Sequence, residues 1–115
     1  MFSIRKFRDL IPYKKAISIF ENILTEDICE KDINDIRIQV AKICGYIAQS
    51  QGCILYPNES KKHLNKALKW TSILEKSITK LNISDARNKE YKSEVSQIRK
   101  ILIAIRKKVG GNING

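Results

Sequence analysis

The sequence predicts an all-α protein, an antiparallel up-down-up-down four-helix bundle, and three observations support this. Apolar residues recur every three or four positions along four stretches, which is the spacing of one helix face. Short connections with helix-breaking or capping residues separate the stretches, and no alternating pattern competes with them. We therefore expect a single domain over residues 1–111, followed by a disordered tail over residues 112–115.

The first predicted helix runs from about Phe7 to Thr25. Pro12 suits the first position of its main part, because a helix start leaves the missing donor unpaired anyway, and residues 3–11 then form a lead-in turn. The predicted apolar face consists of Ala16, Ile17, Phe20, Ile23 and Leu24.

The second predicted helix runs from about Asp32 to Gln51, after an acidic stretch whose carboxylates suit the positive end of a helix dipole. Its apolar residues form a heptad-like seam, which implies left-handed packing near +20°. The seam consists of Ile33, Ile36, Val40, Ile43 and Ile47. Cys44 lies on an apolar face, where we expect a small buried side chain.

The third predicted helix spans about Glu59 to Leu81, with Asn58 or Ser60 as its cap. Its apolar positions are Leu64, Ala67, Leu68, Thr71, Leu74, Ile78 and Leu81. The fourth starts near Ser84 and ends near Val109, where Gly110 and Gly111 supply a stop. Its apolar positions are Tyr91, Val95, Ile98, Leu102, Ile105 and Val109.

The net positive charge lies in the second half of the chain. Residues 1–60 carry eight basic and eight acidic side chains, whereas residues 61–115 carry fourteen basic and four acidic ones, so the net charge of +10 lies there. On the third helix, the basic residues fall within about 80° of arc, nearly opposite the apolar seam. We call these residues the lysine stripe: Lys62, Lys66, Lys69, Lys76 and Lys80.

Further basic residues of the fourth helix extend this face, and they are Lys92, Arg99, Lys100, Arg106 and Lys107. A solvated helix face would also be rich in lysine, but acids are scarce on both helices, which favours a surface that binds polyanions. We expect these ten residues to contact nucleic-acid phosphates, which give affinity without sequence discrimination. An acidic protein or an anionic membrane is a weaker alternative partner.

Ile73 falls inside the lysine stripe and Trp70 lies on its flank, so neither belongs to the apolar seam. We interpret them as an oligomer interface, with core packing of Trp70 and a base-stacking platform as the alternatives.

Little in the sequence indicates catalysis. It contains no glycine-rich phosphate loop, and one histidine allows no two-histidine metal motif. Three cysteines without a CxxC pair suit a reduced, cytoplasmic setting. No apolar run approaches the length of a membrane span. We therefore expect a non-enzymatic protein with no cofactor, no metal and no membrane partner.

Several short motifs carry a family resemblance over roughly residues 5–109. They are Arg8-Asp9-Leu10, Tyr13-Lys14-Lys15-Ala16, Arg37-Ile38-Gln39-Val40, Ile43-Cys44-Gly45-Tyr46 and Ser60-Lys61-Lys62-His63-Leu64. The chain resembles the bacterial four-helix-bundle proteins encoded in intervening sequences of ribosomal RNA genes, whose relatives include the accessory variability proteins of diversity-generating retroelements. It departs from the family's usual Ile-Ala-Glu-Gly turn at Ile47-Ala48-Gln49-Ser50.

This resemblance implies a homo-oligomeric ring, typically a pentamer, with a basic outer surface and no catalytic residues. For the retroelement branch it implies binding to nucleic acid and to a reverse transcriptase. For the ribosomal branch it implies an orphan protein with a structural or assembly role.

Overall fold

A computed structural model describes the backbone of residues 11–114 and the side chains of residues 11–109. The described chain forms four helices and no strand, which confirms the predicted all-α four-helix fold. The helices are α1 (Ile11–Ile23), α2 (Glu30–Gly52), α3 (Pro57–Thr79) and α4 (Asp85–Asn114). Each helix packs against two others, so that the order α1, α2, α3, α4 closes into a bundle.

Contacts between neighbouring helices show that they run antiparallel. The Gln39 side-chain amide donates to Ser77 Oγ at 2.8 Å, whereas the hydroxyls of Ser50 and Ser60 lie 2.7 Å apart, so ascending positions on α2 meet descending positions on α3. The other three helix pairs show the same order. The contacts are Tyr13–Cys44 and Phe20–Arg37 between α1 and α2, and Asn65–Arg106 and Glu75–Arg99 between α3 and α4. Between α1 with the turn that follows it and α4, they are Lys15–Gln97 and Glu26–Arg87.

The predicted seams of α2, α3 and α4 form most of the core. Their fully buried members include Ile36, Ile43, Leu74, Ile98 and Leu102, each without exposed surface. Cys44 is also buried, as predicted, and burial raises the pKa of its thiol to about 11. The thiol is therefore protonated at neutral pH and acts as a small apolar group.

The predicted apolar face of α1 is partly wrong. Ile17 and Leu24 are 39% and 47% exposed, whereas Ile19, which was not predicted, is fully buried beside Ala16 and Ile23. Apolar residues cover more than one side of this short helix, so periodicity does not define its rotation. Packing against both α2 and α4 selects the buried side.

Two predicted helix ends also differ from the structure. Helix α3 begins at Pro57 after Tyr56, which makes no side-chain cap, so the predicted caps at Asn58 and Ser60 are wrong. Ser60 is buried instead, and its hydroxyl donates to the Ser50 carbonyl oxygen at 3.0 Å. The Ser60 hydroxyl therefore links the start of α3 to the end of α2 and gives a buried polar group its hydrogen-bond partner. The predicted start near Ser84 is confirmed, since Ser84 Oγ accepts the Arg87 amide at 3.2 Å.

At its other end, α4 continues through Gly110 and Gly111 to Asn114, so the predicted stop is wrong. A glycine ends a helix by taking positive φ, and no described glycine does so. The predicted tail over residues 112–115 is therefore helical as far as Asn114. Gly115 lies outside the described residues, and so do residues 1–10. The predicted lead-in turn over residues 3–11 falls there except for Ile11, which is the first residue of α1.

A polar cluster joins the end of α1 to the start of α4. Tyr91 OH and Arg87 Nε donate to Glu26 Oε2 at 2.6 and 2.8 Å, and these hydrogen bonds lower the pKa of the Glu26 carboxyl group. Burial raises the pKa of the Tyr91 phenol to about 12. The cluster thus holds an ionised carboxylate beside a neutral phenol at one edge of the core.

Candidate nucleic-acid interface

The lysine stripe lies on the outer side of α3, as predicted, and all five of its side chains are exposed. Lys62 pairs with Glu59 one turn earlier at 3.2 Å, in an ion pair that is open to solvent and contributes little stability. Within residues 11–109, no acidic side chain forms an ion pair with Lys69, Lys76 or Lys80. Most of the stripe's charge is therefore available to a ligand.

Two arginines of α4 extend the stripe because they reach across to α3. Arg99 Nη2 lies 2.9 Å from Glu75 Oε1, and Arg106 Nη1 donates to Asn65 Oδ1 at 2.8 Å. These contacts place Arg99 and Arg106 beside α3, the helix that carries the lysine stripe. Glu75 offsets the charge of Arg99, whereas the neutral amide of Asn65 leaves the charge of Arg106 uncompensated.

The remaining predicted residues of α4 differ in exposure. Lys100 and Lys107 are exposed, and Lys92 is half-buried. We use the name basic surface for the face formed by the lysine stripe together with Lys92, Arg99, Lys100, Arg106 and Lys107. A surface of this kind can contact successive phosphates of a polyanion, and salt screens the attraction.

The two predicted interface residues have different surroundings. Trp70 is half-buried, packs against the core and lies beneath Lys42, whose Nζ is 5.9 Å from the ring centre. Residues of the same chain therefore already cover part of the Trp70 side chain. Ile73 is half-buried among the lysines of the stripe. The role of both residues in an oligomer stays a prediction.

The structure also brings together aromatic and basic residues that the sequence did not indicate as a site. The rings of Tyr46 on α2 and His63 on α3 stack with centroids 6.3 Å apart, and Lys66 Nζ lies 5.6 Å from the Tyr46 ring centre. Next to Tyr46, an open depression of about 390 Å³ lies along α2. Helical spacing shows which residues of α2 share a face with Tyr46, but only the packing of the helices places that face beside His63 and Lys66 of α3.

The described residues contain no group of three or more histidine, cysteine or acidic side chains that could hold a metal ion. Cys29, Cys44 and Cys53 are all free thiols. Among the described helices, none is both long and apolar enough to cross a bilayer.

Comparison with protein-family models, curated proteins and solved structures finds no match to this chain.

Proposed function

We propose that this chain is a non-enzymatic protein that binds nucleic acid through phosphate contacts on its basic surface. The observation that supports the proposal is the exposed lysine stripe of α3 together with Arg99 and Arg106, which reach across from α4, while Glu59 and Glu75 are already engaged in ion pairs there. Because the contacts go to phosphates, affinity depends on charge spacing and on salt rather than on base sequence.

A reverse transcriptase is the second proposed partner, and this protein would be its accessory subunit. This part rests on the family resemblance alone. A reverse transcriptase gene and a variable-repeat gene beside the coding sequence would support it, and the enzyme should then co-purify with the protein. A coding sequence inside a ribosomal RNA gene would instead support the orphan, assembly-only alternative.

A salt titration of the unmodified protein tests the nucleic-acid proposal. With a fluorescently labelled RNA strand, the logarithm of the association constant should fall linearly with the logarithm of salt concentration, by about 0.7 for each phosphate contact. Fluorescence anisotropy measures both quantities. Absence of binding at low salt would refute the proposal, and equally tight binding of polyglutamate would favour an acidic protein as the partner.

We further propose that the protein forms a homo-oligomer in which a neighbouring subunit covers Ile73. Full burial of a large aliphatic side chain contributes about 1.5–3 kcal/mol, and covering the exposed part of the half-buried Ile73 contributes a fraction of that at every interface of a ring. Ile73→Glu should therefore lower the molar mass measured by light scattering, while circular dichroism stays helical.

Ser72→Glu is the matched control, since it adds the same charge at the adjacent exposed position. It should leave the molar mass unchanged. A monomeric unmodified protein would rule out the ring, and an intact Ile73→Glu oligomer would place the interface elsewhere.

A further inference from the structure

The outer side of α2 carries an apolar depression that the packing of this chain does not require. It is lined by Ile38, Ala41, Lys42, Gly45, Tyr46 and Gln49. Ile38 is 54% exposed, and a Cβ placed on Gly45 would meet no atom within 4 Å. Glycine weakens a helix interior, and at Gly45 the missing side chain leaves the helix backbone open to a ligand.

The side of the depression that faces α3 is aromatic and basic. Tyr46 lines it and stacks with His63, while Lys42 lines it and lies over Trp70. Lys66 of the lysine stripe reaches the Tyr46 ring, so the depression adjoins the basic surface. Among the residues that the structure describes, no acidic side chain lines the depression.

We propose that this depression binds an unpaired base of single-stranded nucleic acid. The base stacks against Tyr46 over the space left by Gly45, the Gln49 amide offers a donor and an acceptor to its edge, and Lys42 and Lys66 contact the adjoining phosphates. This inference rests on the proposed function and adds to it a preference for single strands, because duplex bases are already stacked on each other.

Charge favours this occupant over a second copy that docks through its basic half. The net charge of +10 lies in residues 61–115, and that half would bring like charges against a rim formed by Lys42 and Lys66. A nucleic-acid strand brings phosphates to the same rim, and its bases supply flat apolar surface for the depression.

The test is Gly45→Leu, which fills the depression with a side chain that favours the helix. Anisotropy is measured with an RNA strand that cannot pair with itself, with the DNA strand of the same sequence, and with the RNA annealed to its complement. We expect Gly45→Leu to weaken binding of both single strands at least about fivefold and to leave duplex binding unchanged.

Gly52→Leu is the matched control. Gly52 is also on α2, and a Cβ there also meets no atom within 4 Å, but it does not line the depression. This variant should bind both strands and duplex like the unmodified protein. A second readout is the fluorescence of Trp70, the only tryptophan. At saturation, single strands should change its emission more strongly in the unmodified protein than in Gly45→Leu, which keeps only the phosphate contacts near Trp70.

The outcomes separate this inference from the proposed function. If the unmodified protein binds nucleic acid and Gly45→Leu binds single strands equally well, the base site is wrong and the phosphate-binding surface stands. If Gly45→Leu lowers the molar mass in light scattering, a second copy occupies the depression and the inference is overturned. If the unmodified protein binds no nucleic acid, both proposals fail.

Discussion

Replacing Lys62, Lys66 and Lys69 together with glutamine should weaken nucleic-acid binding for all sequences alike. Because each lysine that binds a phosphate adds to the salt dependence, the slope of log affinity against log salt should flatten by about two units for a single strand and up to about three for a duplex. All three side chains are exposed, so far-UV circular dichroism should barely change. Anisotropy titrations at several salt concentrations measure the slope.

The matched control removes three positive charges that do not belong to the basic surface. Lys14, Lys31 and Arg37 are exposed on α1 and α2, and their joint replacement with glutamine lowers the net charge equally. We expect this variant to keep the unmodified salt slope. If the slope flattens equally in both variants, binding depends on net charge alone, and the lysine stripe is only a solvated helix face.

Ile43→Ala should destabilise the protein by about 2–5 kcal/mol, because it removes buried methyl groups and leaves a cavity. Ile43 has no exposed surface and belongs to the apolar seam of α2 that packs in the core. Urea denaturation followed by circular dichroism gives the free energy of unfolding. The midpoint should fall while the dependence on urea stays the same, as expected when stability changes and the exposed area does not.

The same substitution at Ile38 is the control within the same helix. Ile38 is 54% exposed on the outer side of α2, so Ile38→Ala should change the free energy of unfolding by no more than about 0.5 kcal/mol. Equal destabilisation at both positions would mean that α2 is rotated about its axis, and the depression on its outer side would then not exist as described.

The sequence was sufficient for the fold class and for most of the core. The α2 seam was predicted correctly because Ile36, Val40, Ile43 and Ile47 share one side of a helix whose opposite side lacks a comparable row of large apolar residues. The lysine stripe was predictable for the same reason, since residues at helical spacing share a face whatever the helix packs against.

Helix ends and the rotation of α1 required the structure. Ser60 has the residue type of a cap, but the close approach of α2 makes it a buried partner of Ser50. Ile17 and Ile19 are equally apolar, and only the positions of α2 and α4 determine which of them is buried. Sequence periodicity describes one helix at a time and contains no information about its neighbours.

The sequence by itself thus determined that this protein is an all-α bundle with one strongly basic face, because both properties depend on spacing within single helices. Only the tertiary structure decided that Arg99 is paired with Glu75, that Tyr46 stacks on His63, and that Gly45 opens a depression beside them. Each of these features joins helices or depends on the space around them, and that space is set by how the helices pack against one another.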